Sequence, residues 1–415
     1  MTVFEVAAII LFATAVVALL NRRFLHWPET IGVMAISMVF SFLILALSPF
    51  LPEFVEKTCS SVAKFDFSEF VLEVALSFLI FAGAFSVDIK ALTRERIPVL
   101  IFATLGILVS TAVVGFASWW LIGLFGIEGI RIIDCLVFGA LISPTDPVAV
   151  LAILQKAGVS EDLNADITGE SLLNDGVAVV LFTVLTHLAT GQEQMGVPEV
   201  SILLGKEVGG GVLLGIVIAI LGRFALKLGH DPFLDVLVTL GLVVGGYAMA
   251  SSMEFSGPLA MVVSGLWLGT VVRSREIGPD EKQHITIFWE VLDRVFNMVI
   301  FVLLGVVFVG LFHEWELRFL PLGGLIILVV LIARALSLSL TIPMTPLRNS
   351  KPLAKITLLT WGGLRGAVSV ALALSLLHEQ WRDLFFQLTY IVVVFSVLVQ
   401  GLTVGRVARK LGFGR

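Results

Sequence analysis

The sequence predicts an all-α polytopic membrane protein, on the basis of its composition, the length of its apolar runs and the number of those runs. Hydrophobic residues make up 58% of the 415 residues and charged residues only 14%, whereas an ordinary globular protein has about 25% charged residues. Because so few charges cannot cover a surface in water, most of the surface must face lipid. The two cysteines are too few for a disulfide framework, and a net charge of −5 without a basic stripe argues against a nucleic-acid partner.

Thirteen apolar runs are long enough to be transmembrane helices. A helix rises about 1.5 Å per residue, so about 20 apolar residues cross a hydrocarbon core of about 30 Å. The eighth and ninth runs are separated only by a thin polar break between Ser251 and Gly257, and the ninth run is short. The predicted spans, in order, are about 2–20, 30–50, 67–88, 97–125, 132–155, 163–190, 200–224, 233–251, 257–272, 286–311, 319–341, 353–377 and 385–405.

The lysines and arginines of the connecting segments predict the orientation in the membrane. One alternate set of loops holds eighteen of them and the opposite set holds five, and cytoplasmic loops are the basic ones. The C-terminus is therefore predicted to be cytoplasmic, and an odd number of spans places the N-terminus outside, in a multi-pass protein of the cell membrane. The first run lacks a basic leader and a cleavage site, so we expect a retained span and not a signal peptide. Because every connecting segment is short, residues 1–415 are predicted to form a single transmembrane domain.

The fifth span carries a polar interruption in the middle of its apolar run. Pro144 and Pro147 flank Thr145 and Asp146, and each proline removes a backbone donor and clashes with the preceding turn, so the helix must break or kink. Irregular backbone at this depth is tolerated only where it lines a cavity or is buried in protein. The freed carbonyl of Thr145 beside the carboxylate of Asp146 predicts an oxygen-rich site for a small, hard cation. A simple proline kink with a capping aspartate is the alternative.

The sixth span contains a second group of polar residues. Glu170, Ser171, Asn174 and Asp175 form a strip at helical spacing, and such a strip in a membrane helix must face a partner or water. Burial in a low dielectric raises the pKa of a carboxyl group toward neutrality, and a nearby cation reverses this effect. One carboxylate can therefore hold a proton or a metal cation in turn, which is the minimal requirement for a cation/proton exchanger.

Spans 11 and 12 contain the matching positive charges. Arg334 and Arg365 lie well inside apolar runs, where a charge is costly and is usually functional or paired, so both need acidic partners. Three glycines within 362–366 loosen span 12 as the prolines loosen span 5. Interrupted spans at corresponding places in two halves of a chain indicate an inverted-repeat transporter. We therefore predict inverted repeats with two crossed broken helices, spans 5 and 12, which place Asp146 opposite Arg365.

Other charged residues near span ends have simpler explanations. At the start of span 10, an i,i+4 pair between Glu290 and Arg294 accounts for the charges around Asp293, and we prefer this pair to a gating role. Asp134 and Asp235 lie near span ends and are expected to be solvated.

Three polar segments on spans 5, 6 and 12 can be compared with known families. They are Ser-Pro-Thr-Asp-Pro-Val-Ala-Val at 143–150, Gly-Glu-Ser-Leu-Leu-Asn-Asp-Gly at 169–176 and Trp-Gly-Gly-Leu-Arg-Gly-Ala-Val-Ser at 361–369. Together they resemble the signature segments of the monovalent cation/proton antiporters. The match is to the electroneutral branch, which contains the prokaryotic NhaP proteins and the eukaryotic sodium/proton exchangers. It extends over essentially the whole chain in span number and motif order.

This resemblance implies roles for individual residues. Asp175 matches the carboxylate that binds cation and proton alternately, and Asn174 before it marks the electroneutral branch. The resemblance implies a Na⁺ position at Asp175, Asp146, Ser171 and Thr145, with Glu170 as a further cation- or proton-binding residue. It implies structural, charge-compensating roles for Asn174, Arg365, Arg334 and Glu73.

The resemblance also implies an architecture in which spans 1–6 and 8–13 form the repeats. A core of about 97–190 and 319–405 would move against a dimerisation domain of about 2–88 and 233–311, and about 200–224 would be a linker span. The implied function is secondary active Na⁺/H⁺ antiport by a homodimer, in electroneutral one-for-one exchange by alternating access, which serves pH homeostasis.

This function involves no enzymatic reaction and no bound cofactor, and its partners are membrane lipid, monovalent cations and protons. A K⁺/H⁺ antiporter of the same fold is the alternative. A cation channel and an organic-anion symporter are less favoured, because no selectivity loop is evident and the predicted site is acidic.

Overall fold

The protein is helical: in this computed structural model no strand occurs among the described residues. The described residues are 3–47, 49–50, 52–53, 66–87, 89, 96–147, 150–151, 153–154, 161–191, 197–229, 231–274, 278–310, 316–344, 351–376 and 379–413.

Ten helices in this part of the chain are long and apolar enough to cross a membrane, or eleven if the bent pair α12–α13 is one span. Two shorter apolar helices, α5 and α9, complete the set that can be compared with the predicted spans. The all-α polytopic fold class is confirmed, and the number of thirteen spans stays a prediction. In chain order the helices are α1 (Glu5–Leu25), α2 (Glu29–Ala46), α3 (Phe67–Ser86), α4 (Ile97–Leu124), α5 (Ile132–Ile142), α6 (Glu161–Thr190), α7 (Pro198–Leu228), α8 (Pro232–Ser252), α9 (Gly257–Arg273), α10 (Pro279–Phe308), α11 (Leu317–Met344), α12 (Pro352–Gly362), α13 (Ala367–Leu374) and α14 (Trp381–Lys410).

The thin polar break between the eighth and ninth predicted spans is a turn between α8 and α9. The Ser256 hydroxyl accepts a hydrogen bond from the Leu259 backbone N–H at 3.3 Å, which satisfies one of the free donors at the start of α9. In the same turn, the Glu254 carboxylate is bound by the Lys206 ammonium. This hydrogen bond, together with the charge of Lys206, lowers the pKa of Glu254.

Buried apolar side chains form two clusters. The larger one joins α4, α5 and α11–α14 with parts of α1, α2 and α10, and the smaller one joins α7, α8 and α9 with the start of α10. Helices α3, α6 and α10 contribute side chains to both clusters, so they lie at the boundary between them. The division into core, linker and dimerisation domains stays a prediction.

The fifth span is interrupted where the prolines predict it. Helix α5 ends at Ile142, the backbone is not helical over 143–147, and Val150 and Leu151 are helical. The first part packs closely on α4, because Gly139 has no side chain: a Cβ added there would lie 2.4 Å from the Thr111 carbonyl oxygen.

The twelfth span is interrupted as well, and the two interruptions contact each other. Helices α12 and α13 are bent by 53° at a four-residue break, and within that break the Leu364 carbonyl accepts a hydrogen bond from the Asp146 N–H at 2.8 Å. Each unwound segment thereby supplies part of the hydrogen bonding that the other lacks, as backbone at membrane depth requires. The crossing of two broken helices and the inverted repeats stay predictions.

A π-helical segment of α14, Ser396–Gln400, supports the break between α12 and α13. The Ser396 hydroxyl accepts a hydrogen bond from the Arg365 N–H at 2.8 Å. The Gln400 side-chain amide donates to the Trp361 carbonyl at 3.0 Å. These bonds satisfy backbone groups that the end of α12 leaves without helical partners.

Candidate functional site

A cavity of about 280 Å³ lies among α3, the interrupted fifth span, α6, α10 and α13. Four of the five residues predicted to bind a cation or proton line it. They are Asp175, Asp146, Ser171 and Thr145. The structure therefore brings the polar segments of spans 5 and 6 together around one space.

Hydrogen bonds join the unwound part of the fifth span to α6. The Asn174 side-chain amide donates to the Thr145 hydroxyl at 2.8 Å, and the Thr145 and Ser171 hydroxyl oxygens are 3.4 Å apart. All three side chains are buried. An amide at position 174 provides a donor that a carboxylate lacks, so Asn174 positions Thr145 at the edge of the cavity.

The two aspartates of the site are half-buried on the lining of the cavity. Asp175 is held on α6, and Asp146 lies on the unwound segment with its carboxylate against Gly366. A Cβ added to Gly366 would be 2.5 Å from the Asp146 Oδ2, which is far inside van der Waals contact. The glycine at the break between α12 and α13 thus makes room for the Asp146 carboxylate.

Glu170 does not line this cavity and forms an ion pair with Arg334. Its Oε1 lies 2.5 Å from the Arg334 Nη1, and the two residues are 2% and 7% exposed. The pair lines a second, narrow space beside α12. Arg334 therefore has the acidic partner that the sequence required, and Glu170 is held in an ion pair and does not line the cavity that contains Asp175.

Arg365 binds backbone carbonyls at the end of α5. Its guanidinium donates to the Pro144 carbonyl at 2.8 Å and also to the Ser143 carbonyl, and the residue is 1% exposed. A cation at a helix C-terminus stabilises the free carbonyls and the negative end of the helix dipole. The structure thus shows Arg365 as a cap on the broken helix.

Glu73 is not brought to the cavity. It lies on the π-helical segment Phe70–Ala75 of α3, where its side chain is exposed and does not line the cavity.

Further polar residues outside the predicted site also line the cavity, and three of them lie on α10 and α13. Asp293 and Asn297 come from α10, and Ser369 comes from α13. The predicted Glu290–Arg294 pair is confirmed, with 2.7 Å between Oε1 and Nη2. Asp293 lies three residues beyond Glu290, and its i,i+4 relation to Asn297 in an apolar run is the signal that could have identified it.

The expectation that Asp134 and Asp235 are solvated is wrong. Asp134 is 5% exposed and Asp235 is fully buried. The Arg131 guanidinium donates to both carboxylate oxygens of Asp134, at 2.9 and 2.6 Å, so an adjacent arginine replaces water.

The whole chain can be compared with known proteins. The family described as sodium/hydrogen exchanger, transmembrane, matches residues 9–410. A Na⁺/H⁺ antiporter NhaP of Pseudomonas aeruginosa is 38% identical over 415 residues, which cover 99% of this chain and 97% of that protein. A Na⁺/H⁺ antiporter NhaH of Halobacillus dabanensis is 30% identical and covers 97% of both chains. The solved structure of the sodium proton antiporter MjNhaP1 from Methanocaldococcus jannaschii has a TM-score of 0.73 at 19% identity, over 99% of this chain and 98% of that one.

Proposed function

Because the chain belongs to the sodium/hydrogen exchanger family, we propose that it is a secondary active Na⁺/H⁺ antiporter that exchanges one cation for one proton by alternating access. The observation that supports this most directly is the cavity that Asp175, Asp146, Ser171 and Thr145 share. Carboxylate and hydroxyl oxygens are suitable ligands for a small, hard cation, and a carboxylate is also the group that can take a proton instead.

The charges around the site support a one-for-one exchange. The buried Glu170–Arg334 pair brings two side chains of opposite charge into direct contact. Arg365 and Asp146 lie on the two contacting interruptions, and their charges have opposite sign. Asp175 is then the carboxylate whose occupant changes, and it is neutral with either Na⁺ or H⁺ bound. The membrane potential does no net work on such a cycle.

The proposal includes the arrangement in the cell. We place the protein in the cell membrane with the N-terminus outside and the C-terminus cytoplasmic, because basic residues are concentrated in one set of loops. We further propose a homodimer in which the core moves against the dimerisation domain, with transport in the service of pH homeostasis. The proposed reaction makes and breaks no covalent bond, and neither ATP nor a bound cofactor takes part in it.

A K⁺/H⁺ antiporter is the second candidate, because the same oxygen ligands bind both ions and cavity size sets the preference. Proton flux in proteoliposomes driven by Na⁺, Li⁺ or K⁺ gradients distinguishes the candidates. We expect Na⁺-driven flux, and Asp175→Asn should abolish it in a protein that still folds. Substantial flux in the folded variant would show that Asp175 is not the exchange site.

The same vesicles test the stoichiometry. A net charge moved per cycle would respond to 100 mV with about 2.3 kcal/mol, which is roughly a fiftyfold bias in the cation gradient. We expect the Na⁺ gradient at equilibrium to be independent of a potassium-diffusion potential set with valinomycin. A shift of that gradient at a fixed pH difference would refute electroneutral exchange and implicate a second titrating carboxylate.

A further inference from the structure

The cavity at Asp175 has a third carboxylate on its lining, and this one comes from a different part of the chain. Asp146 and Asp175 belong to the interrupted fifth span and to α6, which are both in the predicted core. Asp293 belongs to α10, which is in the predicted dimerisation domain. If the two domains move against each other, the distance from Asp293 to Asp175 changes during the cycle, whereas Asp146 moves with the core.

Asn297 holds the Asp293 carboxylate in place. Its side-chain amide donates to the Asp293 main-chain carbonyl at 2.9 Å and to the Asp293 Oδ1 at 3.1 Å. Asn297 is 6% exposed and lines the cavity beside Asp293. Within the described part of the chain no hydrogen bond to the Asp293 Oδ2 is found, so this oxygen is available to a ligand in the cavity.

The basic residue next to Asp293 is engaged elsewhere. Arg294 forms an ion pair with Glu290 at 2.7 Å, and both of these side chains are more than half exposed. The positive charge of Arg294 therefore points to the outside of α10 and is offset by Glu290. The cavity side of this helix presents the carboxylate.

A second oxygen in the same cavity lacks a partner. Ser369 on α13 is 1% exposed and lines the cavity, and among the described residues its hydroxyl has no hydrogen-bond partner. The cavity of about 280 Å³ is also much larger than the roughly 30 Å³ that one water occupies in the liquid. A cation can therefore enter with part of its hydration shell and contact several oxygens before it reaches Asp175.

We propose that Asp293 is the cytoplasmic capture residue for the transported cation, which binds it there before it passes to Asp175. The inference rests on the proposed antiport function. Helix α10 begins at Pro279, after a loop predicted to be cytoplasmic, so Asp293 lies between that loop and Asn297. A carboxylate at this position raises the local cation concentration and the rate of encounter. Because Asp293 lies on α10, it adds no charge to the complex that the core carries.

The test measures the transport kinetics at the two faces of the membrane separately. Initial rates of Na⁺-driven proton flux are measured in inside-out and in right-side-out vesicles, as a function of Na⁺ concentration. Asp293→Asn is expected to raise the KM for Na⁺ at the cytoplasmic face by about three- to tenfold, with the KM at the outer face and the maximal rate changed by less than about twofold. Asp293→Glu keeps the charge and should restore most of the affinity.

The double variant Glu290→Gln with Arg294→Gln is the matched control, because it removes a carboxylate from the same helix one turn earlier, outside the cavity, together with its ion-pair partner, and should leave the KM unchanged. If Asp293→Asn does not accumulate as folded protein, Asp293→Ser gives the same comparison. A KM that is unchanged at the cytoplasmic face, or raised equally at both faces, would overturn the capture role alone. A wild-type protein without cation-driven flux would instead overturn the proposed function, and the capture role with it.

Discussion

The buried ion pair between Glu170 and Arg334 predicts a stability effect that an exposed pair does not show. Arg334→Met leaves the Glu170 carboxyl buried without its partner, and Glu170→Gln leaves the Arg334 guanidinium in the same position. Both residues are less than a tenth exposed, so water cannot replace the missing group. Removal of one partner from a buried pair costs about 3–5 kcal/mol, and we expect each single variant to lose about that much.

The two single variants should differ from each other and from the double variant. A stranded carboxyl can become neutral by taking a proton, whereas an arginine stays charged in proteins, so Glu170→Gln should be the more damaging change. The double variant, Glu170→Gln with Arg334→Met, leaves no buried charge at this position. Since replacement of both members of a buried pair is often neutral, we expect it to recover at least about 3 kcal/mol relative to the sum of the single losses.

The assay is reversible unfolding in mixed micelles, followed by circular dichroism and by the fluorescence of the eight tryptophans. The matched control is the same cycle at Glu290 and Arg294, a pair whose side chains are 57% and 61% exposed. Exposed pairs contribute about 0–1 kcal/mol, so those losses should be small and additive. Additive losses at Glu170 and Arg334 as well would refute the conclusion that the two charges stabilise each other.

Two further predictions concern the contact between the interruptions. Arg365→Ala should reduce the amount of folded protein as well as transport, because it leaves the Ser143 and Pro144 carbonyls without their donor. Arg365→Lys should rescue only in part, since an ammonium lacks the planar fork of a guanidinium. An Arg365→Ala protein that is fully stable in size-exclusion chromatography and fully active in flux measurements would contradict this prediction. Gly366→Ala should shift the Asp146 carboxylate, since the added Cβ would lie 2.5 Å from it, and raise the KM for Na⁺ severalfold; an unchanged KM would show that this carboxylate is not confined by Gly366.

Local chemistry was sufficient to predict the interruptions of the fold. The prolines around Asp146 and the glycines of span 12 forbid a regular helix, and their effect does not depend on which helices are neighbours. The turn at Ser251–Gly257 was predictable for the same reason, since Ser256 caps the next helix. The packing of the helices into two clusters was not predictable, because an apolar run carries little information about which of its faces contacts which neighbouring helix.

The sequence also could not predict which groups are the partners of the buried charges. The sequence required an acidic partner for Arg334, but whether that partner is Glu170 or one of the aspartates depends on the rotation of α11 against α6. Arg365 was expected opposite Asp146, and its guanidinium reaches the carbonyls at the end of α5. Asp293 was explained by the pair between its neighbours Glu290 and Arg294, and the polar Asn297 four residues further along the apolar run was the signal that this explanation overlooked.

The contact between the two interruptions has a consequence for the order of events during synthesis. The Ser143 carbonyl accepts a hydrogen bond from Arg365, which follows it by 222 residues. At about 5–20 residues per second, the ribosome takes roughly 10–45 s to synthesise the chain as far as this donor. During that interval the fifth span must remain in the translocon, stay near the interface or use temporary partners, because its free carbonyls are costly in lipid. A nascent chain that stops before residue 352 should therefore be a substrate for membrane quality control, although most of its spans have already been made.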